Sequence, residues 1–404
     1  MTNSKRELLE FVEENGVKFV KLTFCDLLGR LRNILVLSSQ LEDAYENGVA
    51  IDSSAMTGVG GTDLKLMPAS AIMSDLPWRP HSGKVLSIFC HVANIDCTPY
   101  ICDPMVLLDR EVSKLKKLGY TAKVSTECEF YVFKDDPDSG KLEPLDNADY
   151  CACAPFDKCE SLRRDVILSL EDMGLKPISS HHERGKGQNE IDFEPADPVS
   201  AARNYVMFKA AVKNVCAING TIASFMPKPI FNQPGSGLHM SINLSGKNST
   251  EASRAFAEGV LRRYREITCL ANPTLNSYKR LAKNYKISYH QNRGKNMAMR
   301  FFGDDVVQLR TPDSTCNIFA VLALVFAAGR EGIENKYKLR EEGAADSTMF
   351  ESIGDAVEFA RNSAWLHDCI PGELDHVLDT IEKRYTEEQK LTTDEQFFDV
   401  YTDI

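Results

Sequence analysis

Four short segments of this chain alternate apolar residues with charged or ligand-forming ones, and that period of two constrains the fold more than any other feature. Successive side chains of a strand point to opposite faces of its sheet. In KVSTECEFYVF, Val124, Cys128, Phe130 and Val132 therefore share one face, and Glu127 and Glu129 share the other. In NEIDFEP, Glu190, Asp192 and Glu194 alternate with Ile191 and Phe193. In GLHMSINL, His239, Ser241 and Asn243 alternate with Leu238, Met240, Ile242 and Leu244. In VVQLR, Gln308 and Arg310 alternate with Val307 and Leu309. A solvated strand face gives the same pattern in an antiparallel sheet, so any one segment proves little. Four together describe a sheet with one apolar face and one face of clustered Glu, His and Arg. Adjacent carboxylates repel unless a cation sits between them. Mg²⁺ and Mn²⁺ take carboxylate oxygens, with histidine as a minority ligand. The expectation is a divalent-metal cavity.

Arg280, Arg293, Arg300 and Arg310 lie in or beside segments rich in Gly and Asn. Arginine forks grip phosphate and carboxylate at two points, although solvated surface arginines are common. With acidic ligands nearby, they suggest phosphoryl chemistry, in which metals and arginines neutralise the transferred group. The chain has no Walker loop and no dinucleotide fingerprint, so any nucleotide is held another way. A net charge of −11 and a pI near 5.4 disfavour nucleic acid and anionic membranes as partners. The apolar run Ile318 to Ala328 falls short of the roughly 18 residues of a membrane span and reads as a buried helix. The polar N-terminus has no apolar signal core, and a cytoplasmic location is expected. Among 12 cysteines only Cys151, Cys153 and Cys159 cluster, without paired zinc spacing; reduced thiols are expected.

Along the chain, residues 5–14 read as an amphipathic helix stopped by Gly16. Val17 to Phe24 and Leu31 to Leu37 read as a hairpin about Leu28-Gly29-Arg30. Residues 51–70, rich in Gly, Ser and Thr, read as loop, and Val85 to Asn94 as a strand. Pro99 and Pro104 mark a boundary near residue 100. A helix over 105–118 follows. Strands are expected over 123–133, 191–194, 238–244 and 306–310. Helices are expected over 159–173, 201–218, 252–270 and 318–338, with charged helices over 354–390. The class is α+β, with a small domain over residues 1–100 and a larger one over 101–404.

The segments HHERGKGQNEIDF, FMPKPIF, GSGLH and NPTLNSYKRL resemble those of glutamine synthetase, of type I-like but divergent form, and occur in that family's order. VKFVKLTFCDLLGR resembles its N-terminal β-grasp domain, and IDSSAMTGVGGTDLKLMP its loop bearing an ammonium-site aspartate. The resemblance covers roughly residues 15 to 335. It implies a catalytic domain with a curved antiparallel sheet. The implied reaction is an ATP-dependent carboxylate–amine ligation through γ-glutamyl phosphate, with Mg²⁺ or Mn²⁺. It further implies Glu129, Glu183 and Glu190 as glutamate-side metal ligands, and Glu127, His239 and the position of Gln308 on the nucleotide side. Gly235 falls in the glutamate-binding loop. Arg280 matches the arginine gripping the substrate carboxylate, Arg293 one contacting phosphate, and Arg310 one on the glutamate or phosphate side; Arg300 lies in the same substrate-binding region. Ser241 and Asn243 stand where the family has a polar, nucleotide-side pair. Asp52 matches the aspartate that helps deprotonate ammonium, contributed by a neighbouring subunit. A homo-oligomeric ring follows, usually a dodecamer of two hexamers.

The departures are chemical. The third nucleotide-side ligand is glutamate in the family and neutral Gln308 here. Val306 replaces an arginine, and Pro234 an asparagine. Lys286 stands where the family places a glutamate that helps take a proton from ammonium. A lysine is ordinarily a cation at neutral pH, and two like charges about 4 Å apart repel by roughly 4 kcal/mol at an effective dielectric of 20. The acceptor is therefore expected to be an amine other than ammonia, one carrying an acidic group being attracted. If Lys286 instead points to solvent, that inference lapses. Two other readings stay open: a non-catalytic relative with a structural or ligand-sensing role, favoured by the changes at Gln308, Val306 and Lys286, and ATP–guanido phosphotransfer on the same type of domain.

Overall fold

The strand pattern resolves into two sheets, built from separate stretches of the chain. The computed structural model describes residues 5–58, 60–76, 85–134, 143–281, 285–291 and 296–401. The first sheet contains β1 (Phe19–Cys25), β2 (Leu31–Leu37), β3 (Val49–Asp52), β4 (Asp63–Asp75) and β5 (Val85–Asn94), in the order β2-β1-β5-β4-β3. The expected hairpin forms, with Phe19 opposite Leu37, while β1 and β5 run parallel. The helix Lys5–Glu14 closes this layer with Leu8 and Val12 buried.

Residues 51–70 are loop only in part, over 60–62 and beside the helix Ser54–Thr57, with strand at either end. Ile51 pairs with Leu64 across β3 and β4, and the short helix Ser54–Thr57 lies between them. The Gly, Ser and Thr content points to irregular chain, but buried Ile51, Leu64 and Leu66 anchor the segment in the core. Packing overrides local propensity here.

The second sheet contains β6 (Thr121–Lys134), β7 (Pro177–His182), β8 (Gln188–Phe193), β9 (Thr221–Ser224), β10 (Leu238–Ser245), β11 (Lys286–His290), β12 (Met297–Phe302) and β13 (Val306–Leu309). Its order is β11-β12-β13-β10-β6-β8-β7, with β9 also paired to β6. All pairs are antiparallel except β11–β12. Val124, Cys128, Phe130, Met240, Ile242, Val307 and Leu309 are buried. The helix Pro198–Ile218 packs on this side, where Phe208 meets Phe130 and Phe193 edge-on with ring centroids 6.0 and 5.3 Å apart. With one face committed to the core, a one-residue slip of register is excluded, because it would turn the carboxylates inward.

The apolar run forms the helix Ile318–Glu334, buried along its first three turns. Asn317 caps it by accepting from the amides of Phe319 and Ala320 at 3.1 and 3.2 Å. The same residue donates to the carbonyls of Asp26 and Leu27, tying the helix to the first sheet. Gly29 approaches so closely that a Cβ there would lie 2.7 Å from the Asn317 Cα, and its φ is +81°; glycine answers both demands. No described helix is long and apolar enough to cross a membrane. The helix expected over 252–270 breaks at Arg263 into Ser249–Arg262 and Tyr264–Ala271. Arg263 there binds Glu331 through two nitrogens, each at 3.0 Å, while Tyr264 turns into the core to reach Thr311 Oγ1 at 2.6 Å.

Candidate active site

Register decides which side chains meet, because directly opposed residues of an antiparallel pair share a face. Glu127 on β6 lies opposite His239 on β10 and Asp192 on β8. Glu129 lies opposite Glu190, which in turn faces His181 on β7. Ser241 lies opposite Gln308, and Gln308 opposite Arg300 on β12. The polar face is thus continuous from β7 to β12, and a cleft of about 320 Å³ opens on it. Of the expected residues, Glu127, Glu129, Glu183, Glu190, Gly235, His239 and Arg310 line this cleft.

One side of the cleft carries excess negative charge. Glu129 accepts from the Gly237 amide at 2.8 Å, and burial still lifts its proton affinity above the usual carboxylate range. Glu190 is only 8% exposed and has no hydrogen bond or ion pair among the described residues. Burial, then the charges of Glu129, Asp192, Glu127 and Glu183, push its pKa well above normal. Glu183 sits just past β7, and burial would raise it too. His181 Nε2, 3.1 Å from its Oε1, and the Arg184 amide at 2.9 Å outweigh that and hold it low. A buried carboxylate among carboxylates is unfavourable without a counter-charge. These residues therefore fit a divalent cation.

The other side is electrically closed. Glu127 meets His239 Nδ1 at 3.2 Å and accepts from Gln308 Nε2 at 2.9 Å. Gln308 also donates to Ser241 Oγ at 3.2 Å and accepts from Arg310 Nη1 at 2.7 Å. Burial would raise the Glu127 pKa, but His239, Arg310 and Gln308 hold it below normal. The amide donor thus offsets part of the Glu127 charge that a cation would otherwise offset.

Arg280 is not in the cleft lining. Its guanidinium donates to the carbonyls of Thr311, Pro312 and Arg310 at 2.6, 3.2 and 3.0 Å, bracing the chain beside Arg310. A Cβ at Gly237 would fall 2.4 Å from its Nη2, so the loop and the arginine are mutually fitted. Arg300 stacks over the Phe302 ring at 4.0 Å and does not line the cleft. Ser241 is buried beside Gln308, while Asn243 is exposed at the far end of β10. Glu194 lies past β8 and pairs outward with Lys176 at 3.3 Å. Lys286 is exposed at the start of edge strand β11, away from the cleft lining. Asp52 is exposed at the end of β3, where it accepts from the Ser54 amide at 2.8 Å and is held acidic by Ser54. Arg293 lies outside the described residues.

Sequence reasoning missed His181, Tyr150 and Arg184, which also line the cleft. The Tyr150 ring meets His181 edge-on at 5.5 Å, with the Arg184 guanidinium 4.6 Å above it. The consecutive pair His181-His182 before Glu183 was the available signal. His182 faces the other way. Its ring nitrogens approach the Glu183 carbonyl at 2.6 Å and Asp146 at 2.9 Å, and these partners outweigh burial and raise its pKa. Asp146, Asp157 and His182 form a buried group that could in principle hold a metal. Their atoms are instead engaged, with Arg163 bound to Asp157 at 2.6 Å, so this cluster braces Glu183 from behind. No cysteine belongs to a metal-ligating group among the described residues.

The comparisons agree with this geometry. The family model described as "Glutamine synthetase, catalytic domain" matches residues 101–404, and "Glutamine synthetase, beta-Grasp domain" matches residues 16–95. This chain belongs to the glutamine synthetase family. The glutamine synthetase of Clostridium saccharobutylicum is 38% identical over 356 residues, 82% of this chain and 80% of that one. That of Methanosarcina mazei is 37% identical over 357 residues, with the same coverage. The solved structure "GmaS/ADP complex-Conformation 1" has a TM-score of 0.84 at 25% identity, covering 97% of this chain and 98% of that one. "Apo GmaS without ligand" has a TM-score of 0.87 at 23% identity, covering 97% and 99%, and speaks to fold alone. The chain is an ATP-dependent ligase of the glutamine synthetase type. Glutamine synthetases use ATP and divalent metals, and they are oligomeric. The catalytic-domain match runs to residue 404, well past residue 335, where recognisable motifs end.

Proposed function

We propose that the chain joins glutamate to an amine other than ammonia, forming a γ-glutamyl amide through an acyl phosphate made with ATP. The observation that carries this reading is the cleft itself, where Glu129, Glu183 and Glu190 share one sheet face with Glu127 and His239, and Gln308 bonds to Glu127 behind the lining. In the proposed roles, Glu129, Glu183 and Glu190 hold a divalent cation on the glutamate side, and Glu127, His239 and Gln308 hold the nucleotide side. Bound there, Mg²⁺ or Mn²⁺ would neutralise phosphoryl oxygens. Arg310, which lines the cleft and donates to Gln308, stabilises the transferred charge in this proposal. Arg280 fixes the 310–312 carbonyls and the Gly235 loop, so that the glutamate backbone meets a preformed wall. Arg293, Arg300, Ser241 and Asn243 complete the substrate and nucleotide assignments. The similar GmaS structure is an ADP complex, which supports nucleotide use on this fold.

Lys286 is exposed and outside the cleft lining of its own chain, so it no longer carries the acceptor assignment; what supports that assignment is the likeness to GmaS, consistent with a ligase divergent from glutamine synthetase proper. Asp52 is exposed and absent from the cleft lining of its own chain. This supports a ring, a dodecamer in this proposal, in which a neighbour supplies it. The test is phosphate release from ATP with glutamate and a panel of amines and amino acids, with the product identified by mass spectrometry. One amine should exceed ammonia as acceptor. Ammonia as the best acceptor would overturn the acceptor assignment.

A further inference from the structure

We propose that His181 is a fourth protein ligand in the pocket of Glu129, Glu183 and Glu190, biasing it towards first-row transition ions such as Mn²⁺ over Mg²⁺. This rests on the cleft reading above and adds a residue that the family resemblance does not supply. His181 and Glu190 are directly opposed across β7 and β8 and so share the polar face. His181 Nε2 lies 3.1 Å from Glu183 Oε1, and ligand atoms of His181, Glu183 and Glu190 all fall within 4.8 Å of one another. Ligands about 2.1 Å from one octahedral ion are separated by about 3 Å when adjacent and about 4.2 Å when opposite. Three of the four ligand atoms are thus gathered near the span of one coordination sphere, and Glu129, directly opposite Glu190, lies on the same face.

Two further observations point to a cation rather than to a simple hydrogen bond. Glu190 is buried, aimed into the cleft, and without a partner among the described residues. The His181 ring is also fixed in place, with Tyr150 edge-on against it and Arg184 stacked beyond. A ring held in a fixed orientation is preorganised as a metal ligand. Mg²⁺ sheds water reluctantly and favours oxygen donors, whereas an imidazole raises affinity for first-row transition ions.

The test uses the metal-stripped full-length chain, titrated with Mn²⁺ and read by electron paramagnetic resonance, with Mg²⁺ as competitor. Glu190→Gln should abolish tight binding of both ions; if it does not, the cleft reading itself fails. His181→Gln and His181→Ala should weaken Mn²⁺ by about tenfold or more, the scale on which even outer partners of a metal act, and Mg²⁺ by less than about twofold. Nitrogen coupling to bound Mn²⁺ should persist in His239→Ala and vanish when His181→Gln is added. Equal weakening of both ions, no weakening of either, or nitrogen coupling that survives the double substitution would overturn the role of His181 while leaving the cleft reading in place.

Discussion

Glu190 is held where its charge is least welcome, buried beside Glu129 and within the field of Asp192, Glu127 and Glu183. Its folded pKa is raised above the unfolded value. It therefore favours the metal-free fold below the ordinary carboxylate range, and that contribution is lost as pH rises through the raised value. A divalent cation reverses the penalty. Metal-free protein should thus lose thermal stability as pH climbs, and added Mn²⁺ should restore more at higher pH. Glu190→Gln should flatten both trends, stabilising the metal-free form by about 1–3 kcal/mol at alkaline pH. Scanning fluorimetry across pH with and without Mn²⁺ measures this; a wild-type curve insensitive to the substitution would contradict it. Gln308 has the opposite character. Its amide donates to Glu127 at 2.9 Å, so Gln308→Glu replaces a donor by a like charge, a repulsion of roughly 4 kcal/mol at about 4 Å and a dielectric of 20. The variant should melt lower without metal and gain an additional tight Mn²⁺ equivalent by calorimetry. An unchanged stoichiometry would show that this position does not face a cation.

Strands and their loops set the precision of the cleft. A Cβ at Gly237 would meet the Arg280 Nη2 at 2.4 Å and His239 Nε2 at 3.1 Å, whereas one at Gly235 would meet the Pro227 carbonyl at 2.8 Å. The end of Arg280 can yield, but main chain cannot. Gly237→Ala should mainly weaken metal binding and lower kcat. Gly235→Ala should in addition cost about 1–3 kcal/mol of stability, read by urea unfolding. The alternation in NEIDF and HMSINL was legible because one buried face fixes the period. It also placed Glu194 and Asn243 on the correct side, but could not show that Glu194 lies past the end of β8 or that Asn243 reaches the open end of β10. Which strands are neighbours is a matter of tertiary pairing. His181 therefore stayed hidden: PISSHH shows little apolar alternation, and its one large apolar residue, Ile178, is exposed. The same limit hid β3 and β4, which flank Gly58, Gly60 and Gly61, and the helix break at Arg263, whose partner Glu331 lies on another helix.

At the scale of the molecule, the first sheet carries Asp52 on its surface while the second carries the cleft. Motif resemblance made the family legible, but a single chain's sequence does not reveal which subunit completes which site. If a neighbour supplies Asp52, then Asp52→Ala and Glu190→Gln, each inactive alone, should regain activity when dissociated, mixed and reassembled, because some interfaces then join an intact Asp52 to an intact cleft. No recovery in mixed oligomers confirmed by light scattering would place the complete site within one chain. Everything proposed for the cleft depends on its activating glutamate as an acyl phosphate, and hydroxylamine intercepts that species. With ATP, glutamate and Mg²⁺ or Mn²⁺, hydroxylamine should be converted to the γ-glutamyl hydroxamate, in amounts that match ADP formed and vanish in Glu190→Gln. ADP formed without glutamate, or no hydroxamate under any metal while the intact oligomer binds ATP, would contradict acyl-phosphate chemistry in this cleft.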